Sequence, residues 1–304
     1  MTSQSFNLET SINDDPILIA QALNEALIDE VNEQITLGTF DDSDIELLQK
    51  LVNGLADKRG LVRLRFAETL AEIGEPATPL LIEALANDPN EVMRRAAAKT
   101  LTLIADPTAI PTLLHSFLND RDTVVKNSAA GALARIGNAA APALLDILAS
   151  PEQPEDTKGL AAWALAFMGS EAAEYLYQAL DSSSLDVRCA VIGAIGRVAQ
   201  EQSDDKSCNI LINALTDPEP IIRNEAASVL GQVNHLPSVP HLILAVQDTD
   251  LDVRKAAINS LGKIGDRMAI APLQAVLNDQ HEVVRVLARL AIAQIERQSE
   301  DDDY

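Results

Sequence analysis

The sequence predicts an all-α protein: a superhelical α-α solenoid of about eight stacked helix pairs, closed at its N-terminus by a capping helix. Three observations predict it. A basic residue recurs at Arg63, Arg94, Lys126, Lys158, Arg188, Arg223, Arg254 and Arg285, at spacings of 31, 32, 32, 30, 35, 31 and 31 residues. Six places before it an Asp recurs (Asp57, Asp88, Asp120, Asp217, Asp248, Asp279), and seven places after it every copy is apolar, from Leu70 and Leu101 to Leu261 and Ile292. Eleven places after it Gly74, Gly137, Gly169 and Gly265 signal a helix end, with Ala105, Ala199 and Asn234 in that place elsewhere. A single globular core has no reason to repeat at such a period. Two helices of roughly twelve residues cannot bury their apolar faces alone, so the pairs must stack.

In chain order, residues 1–42 form an acidic N-terminal segment and capping helix. Residues 1–13 are polar and expected to be mobile. Asp15-Pro16 opens a helix through Glu30, with Ile19, Leu23, Ala26 and Leu27 on one face. The first fifty residues hold eleven Asp or Glu against Lys50 alone, which reads either as a solvated capping face or as a docking arm for a basic partner. Asp42 or Ser43 then caps a helix through Leu55, and the repeats fill 43–296. In the copy from Asp248 to Asp279, Asp250 is the N-cap and Val253, Ala256, Ala257, Ser260, Leu261 and Ile264 form one apolar stripe. Gly265-Asp266 makes the turn, and Ala269 to Leu277 makes a second helix entered through Pro272. Two joints depart from the pattern. Pro151 and Pro154 flank Glu152, which replaces the Asp, and Gln200 to Ser207 carries the extra residues of the 35-residue spacing as a longer exposed loop. Residues 297–304 are expected to be an acidic, disordered tail.

The pattern D-x-x-x-x-V-R-x-x-A-x-x-x-L-G-x-I-G followed by A-I-x-P-L, over about 43–296, resembles the HEAT-like repeat of the phycobilisome (bilin) lyase E/F-type family. The resemblance implies that the turn Asp and the helix Arg form a ladder, and that the second helix of each pair lines a concave side. It also implies a lyase or lyase-like factor that attaches phycocyanobilin or a related bilin to a phycobiliprotein cysteine, or removes it, often beside a HEAT-like partner subunit.

Composition narrows the classes. The chain is 47% hydrophobic but only 3% aromatic, which suits helices packed through small side chains. A formal net charge of −23 argues against nucleic acid as a partner, because phosphate binding needs a basic surface. No run of about eighteen apolar residues suggests a membrane span, and the N-terminus lacks the basic and apolar regions of a secretion signal. Cys189 and Cys208 make neither a disulfide framework nor a metal set, so a cytoplasmic setting is expected. Nucleophile elbows, phosphate loops and H-E-x-x-H are missing from the sequence. A deoxyhypusine hydroxylase-like di-iron protein needs several His-Glu pairs. Here His281-Glu282 stands alone, and His115, His235 and His241 lack a following acid, so no metal is expected.

A candidate site comes from helical geometry. If the core takes positions minus one, plus three, plus seven and plus ten around each reference residue, then plus one, plus five and plus nine form an outward stripe. The stripe carries Arg95, Lys99, Arg135, Arg197, Lys255 and Lys263 against Glu68 and Glu72, and its middle holds Trp163 and Phe167 among Gly131, Gly159 and Gly193. Such a face suits an anionic guest with an apolar or planar part, an acidic helix or a tetrapyrrole whose propionates meet Arg or Lys. The bland alternative pairs these cations with nearby acids and makes the aromatics filler at a wide joint. Tyr175 and Tyr177 read as packing; a cation such as Arg197 near Cys189 would favour the thiolate, but a lone small residue at an exposed helix position is the commoner reading. The leading reading is a non-catalytic, protein-binding scaffold or chaperone-like adaptor holding a client on a locally basic face. The alternative is the bilin lyase role, with phycocyanobilin bound transiently.

Overall fold

The structure, a computed structural model, describes residues 16–202 and 205–301, with side chains described over 18–202 and 205–298. Among these residues every regular element is helical. Helix α1 (Pro16–Leu37) is followed by eight pairs. Three pairs are α2 (Ile45–Gly54) with α3 (Gly60–Ile73), α4 (Thr78–Asn87) with α5 (Glu91–Ile104), and α6 (Ile110–Asn119) with α7 (Thr123–Ile136). Five more are α8 (Ala141–Ala149) with α9 (Glu155–Met168), α10 (Ala173–Gln178) with α11 (Leu185–Gln202), α12 (Asp205–Ala214) with α13 (Pro220–Val233), α14 (Val239–Ala245) with α15 (Leu251–Ile264), and α16 (Ile270–Ala275) with α17 (Glu282–Asp301). The all-α repeat fold is the one the period predicts.

These helices form two compact units, Met1–Ile136 and Gly137–Tyr304. In the first, α3 packs on α5 and α5 on α7; in the second, α9, α11, α13, α15 and α17 stack in succession. The predicted core register is observed at minus one, plus three and plus seven: Val62, Phe66 and Leu70, Met93, Ala97 and Leu101, and their counterparts to Val253, Ala257 and Leu261 are buried except Thr157, which is half-buried. Of the plus-ten residues, Ile73, Ile104, Ile136 and Val233 are only half-buried. The stretch Thr123–Ala149 is apolar enough by length and composition alone to cross a membrane, but it comprises two helices broken at Gly137 (φ +78), and half of it is buried.

A ladder of side chains links the turns. Arg94 donates from Nε and Nη2 to Asp120 at 2.8 and 3.1 Å, and from Nη1 to the Asp88 carbonyl at 3.0 Å. Arg223 does the same with Asp248 (2.8 Å from each nitrogen) and the Asp217 carbonyl (2.8 Å). Arg254 donates to the Asp248 carbonyl at 2.8 Å, while its Nε comes within 3.3 Å of Asp279 without hydrogen-bond alignment. Each arginine thus ties its own turn to the carboxylate of the following repeat. That carboxylate in turn accepts the N–H two residues on, as Asp120 does from Asp122 and Asp248 from Asp250. Arg223 holds the Asp248 carboxyl below its ordinary value. At Asp120 burial is the largest influence and pushes upward, but the Arg94 hydrogen bonds, the Asp122 N–H and the Arg94 charge together outweigh it, and the net shift is downward. The rung changes where the residues change: Lys158, a single-point donor, reaches Asp186 at 2.5 Å, and Arg188 keeps only the Ser182 carbonyl, at 3.0 Å.

Helix ends follow local chemistry, with four corrections to the sequence reading. Ala105 and Asn234 take the left-handed conformation as Gly265 does, but Ala199 lies inside α11. The helix runs on through Gln202 and α12 begins at Asp205, so the extra residues lengthen a helix instead of making the expected loop; residues 203–204 lie outside the described residues. Ala105 is followed by Asp106-Pro107, which cannot continue a helix, whereas Ala199 is followed by the helix formers Gln, Glu and Gln. The cap of α2 is Asp44, accepting from Leu47 N–H at 2.9 Å, not Asp42 or Ser43. Helix α1 continues to Leu37, past the predicted Glu30, and its buried residues are Ile28 and Val31 while Ile19 and Leu23 are exposed. It packs on α3 through its later turns, so the apolar positions nearer its start are not the ones covered. Helix α17 extends through Asp301, beyond 296, because no Gly or Pro interrupts it. The mobile segment expected at 1–13 and residues 302–304 lie outside the described residues.

Part of the N-terminal acidity has partners within the chain. Glu25 pairs with Arg59, and Asp29 with Arg65 at 2.5 Å. Asn24 donates to Asp57 at 2.9 Å and Thr69 to Asn32 at 2.8 Å. Asp57 is held down to about 2, first by Arg59.

Candidate binding grooves

The second helix of each pair carries the predicted stripe, and none of its residues is buried. In the first unit a groove of about 660 Å³ crosses α3 and α5 and reaches α7. It is lined by Leu64, Ala67, Arg95, Ala96, Lys99, Leu103 and Val124, with Leu64 50% and Leu103 54% exposed. Arg135, exposed near the end of α7, lines no part of it. In the second unit two adjoining depressions of about 400 and 530 Å³ share Trp163, Ala166 and Gly193 and together form one trough over α9, α11 and α13. Phe167 and Arg197 line one part; Gly159, Cys189, Lys158, Asp186 and Glu225 line the other. Lys255 and Lys263 sit on α15, outside the trough.

Trp163 and Phe167 are one helical turn apart and stack with centroids 5.6 Å apart and planes tilted by 33°. They are 49% and 57% exposed, so they present an aromatic wall instead of filling a joint. Tyr177 is half-buried, its hydroxyl 2.9 Å from Ser207 Oγ and its ring 3.8 Å from the Lys206 ammonium. Gly193 allows a close approach across the trough. A Cβ there would lie 3.0 Å from Glu225 Oε1.

The stripe is less positive than its own residues suggest. Arg95 pairs with Asp122, Arg197 with Glu201 at 2.8 Å, and Lys255 with Asp252 at 2.7 Å. Lys99, Arg135 and Lys263 have no carboxylate partner among the described residues. Two of the partner acids also accept backbone N–H groups. Asp122 accepts from Val124 and Val125 N–H at the start of α7, and Glu201 accepts from Ser170 N–H at 2.8 Å. Arg95 accordingly holds the Asp122 carboxyl far below its ordinary range.

Cys189 is not held as a thiolate. Burial pushes its thiol up to about 11, with Glu225 and Asp186 adding to the shift; Arg197, the cation expected to favour thiolate, is engaged by Glu201. Glu225 itself lies two places after Arg223, beside the stripe, and escaped the plus-one, plus-five, plus-nine selection. An acid set among the small apolar residues of E-A-A-S-V-L was the signal that could have found it. It is half-buried, and burial raises its carboxyl above the ordinary value.

The repeats match the family model of HEAT repeats over residues 35–98, 48–134, 78–155 and 208–293. Along nearly its whole length the chain is similar to the bilin biosynthesis protein MpeU of Synechococcus sp. (strain WH8020), 35% identical over 291 residues, 94% of this chain and 95% of that one. A shorter match, 40% identical over 81 residues, links 24% of the chain to 30% of a phycocyanobilin lyase subunit alpha from Picosynechococcus sp.. Another, 37% identical over 95 residues, links 30% of the chain to 28% of a deoxyhypusine hydroxylase from Aspergillus clavatus. The full-length likeness decides between these two: the chain belongs to the HEAT-repeat family of bilin biosynthesis proteins, the E/F-type bilin lyases.

Proposed function

We propose that this chain handles an open-chain tetrapyrrole during phycobiliprotein maturation, holding the pigment in the trough of its second unit for attachment to, or removal from, a client cysteine. The observation that carries this reading is the exposed Trp163–Phe167 wall beside Gly159 and Gly193 in that trough, in a chain 35% identical over 94% of its length to a bilin biosynthesis protein. A flat conjugated ring system gains area and stacking on such a wall. The trough also falls within the roughly 300–1,000 Å³ typical of small-molecule sites.

The chain acts as an adaptor without a covalent nucleophile of its own. Cys189 faces the trough as a neutral thiol, so it does not compete with the client for an electrophilic pigment. The client is a phycobiliprotein, and a HEAT-like partner subunit and a reducing cytoplasm complete the setting. The groove of the first unit, with exposed Leu64 and Leu103 beside Lys99, favours a protein-docking role there: an apolar helix face carrying an acid fits it.

The test is to mix the purified protein with phycocyanobilin and follow the visible absorption band and the emission of Trp163, the chain's one tryptophan. A displaced band together with quenched emission is the expected result. An unmoved band with unquenched emission overturns the proposal.

A further inference from the structure

The trough contains one acid whose charge nothing in the described structure answers. Asp186 has Lys158 at 2.5 Å, and Glu155 is exposed in the first turn of α9, where water reaches it. Glu225 differs from both. It projects from α13 toward α11, close enough to Gly193 that a side chain at that position would meet its oxygen at 3.0 Å. It is half-buried, and it has no hydrogen-bond or ion-pair partner among the described residues. Cys189 of α11, whose titration feels the Glu225 charge, is a neutral thiol, and the cations of the trough, Lys158 and Arg197, are held by Asp186 and Glu201. Partial burial disfavours the charged carboxylate, which agrees with the upward push that burial gives its titration. A ligand that fills the trough can bring the donors that the neighbouring side chains do not supply.

We propose that Glu225 is the positioning residue for the tetrapyrrole nitrogens: its carboxylate accepts hydrogen bonds from the pyrrole N–H groups of a pigment whose rings lie along Trp163. The inference rests on the pigment-holding role proposed for this trough and adds to it the atom that fixes the pigment's orientation. An open-chain tetrapyrrole suits this acid for a chemical reason. Its inner edge presents several N–H donors in one plane and can take up a further proton, and a carboxylate at that edge stabilises the protonated, more strongly red-absorbing form. Charge-assisted hydrogen bonds of this kind are shorter and stronger than neutral ones. Gly193 is part of the device, because a larger residue there would push the carboxylate out of position.

The test uses the full-length chain, phycocyanobilin as the probe, and E225Q and E225D as variants, read by both visible absorption and Trp163 emission. Glutamine keeps the shape and loses the charge; aspartate keeps the charge on a shorter stem. Expected for the natural chain are quenching and a red-shifted, strengthened long-wavelength band. E225Q should still quench Trp163 but lose the red shift and bind about tenfold more weakly, with E225D recovering part of the shift. An E225Q complex with the same band and affinity as the natural chain overturns the role of Glu225 and leaves the pigment-holding role standing. A natural chain that neither quenches nor shifts overturns both.

Discussion

Replacing Asp248 with alanine tests the ladder where it is best formed. Asp248 receives two charge-assisted hydrogen bonds from Arg223 at 2.8 Å each and also accepts the Asp250 N–H at 2.8 Å, so it joins two repeats and shapes its own turn. Both side chains are mostly shielded, 13% and 12% exposed. Hydrogen bonds to charged groups contribute about 1.5–3 kcal/mol each, and breaking a fully buried pair costs about 3–5 kcal/mol. Arg223 keeps the Asp217 and Pro218 carbonyls at 2.8 and 3.2 Å, which lowers the penalty. A loss of about 2–4 kcal/mol is therefore expected, concentrated in α13 to α15. The control is E152A. Glu152 stands at the same repeat position but is exposed, and its replacement should stay within about 0.5 kcal/mol. Because stacked repeats open locally, urea unfolding should be paired with amide hydrogen exchange resolved by helix. A D248A protein no less stable than E152A, or one with unchanged exchange in α13 and α15, refutes the ladder as a source of stability.

Two further predictions concern titration. Asp57, held at about 2 by Arg59 with help from Asn24 of α1, is a depressed carboxyl. Its stabilising effect is complete above the ordinary value of 3.8 and fades as the pH falls through about 2. D57N should remove about 2 kcal/mol from the stability difference between pH 5 and pH 2, measured by denaturant unfolding; an unchanged difference contradicts the assignment. Cys189, pushed up to about 11 by burial and then by Glu225 and Asp186, should be about 0.1% thiolate at pH 8. Its alkylation by iodoacetamide in a C208S background should therefore keep accelerating to about pH 11 and reach its midpoint earlier in E225Q. A midpoint near that of an ordinary thiol in the natural chain counts against the environment described.

The fold was legible because everything that defines it lies within one repeat. Val253, Ala257 and Leu261 declare a helix face, and Asp248 with Arg254 marks the turn that closes it. Helix ends were legible only where a residue forces them. Gly265 stops α15, but nothing in the pattern said that α11 would run on past Ala199, since that depends on the helix-forming residues that follow. The stripe was legible in position and not in charge. Arg95 meets Asp122 from the next repeat, and Arg197 meets a glutamate that also caps a neighbouring turn. The Arg197–Glu201 and Lys255–Asp252 pairs lie four and three places apart on their own helices, a spacing the sequence does carry. Periodicity does not say which acid of the next repeat, such as Asp122, leans across to meet a stripe cation. Glu225 was hidden for the same reason. Its importance comes from Gly193 and Cys189, which reach it through packing between α11 and α13 and not through spacing along the chain.

The most direct measurement of the central claim is an absorption titration of phycocyanobilin with the natural chain and with W163A, in proteins shown to be equally helical. Loss of one well-placed aromatic contact should weaken binding about tenfold. Equal dissociation constants for the two proteins would mean that the pigment does not rest on the α9 wall.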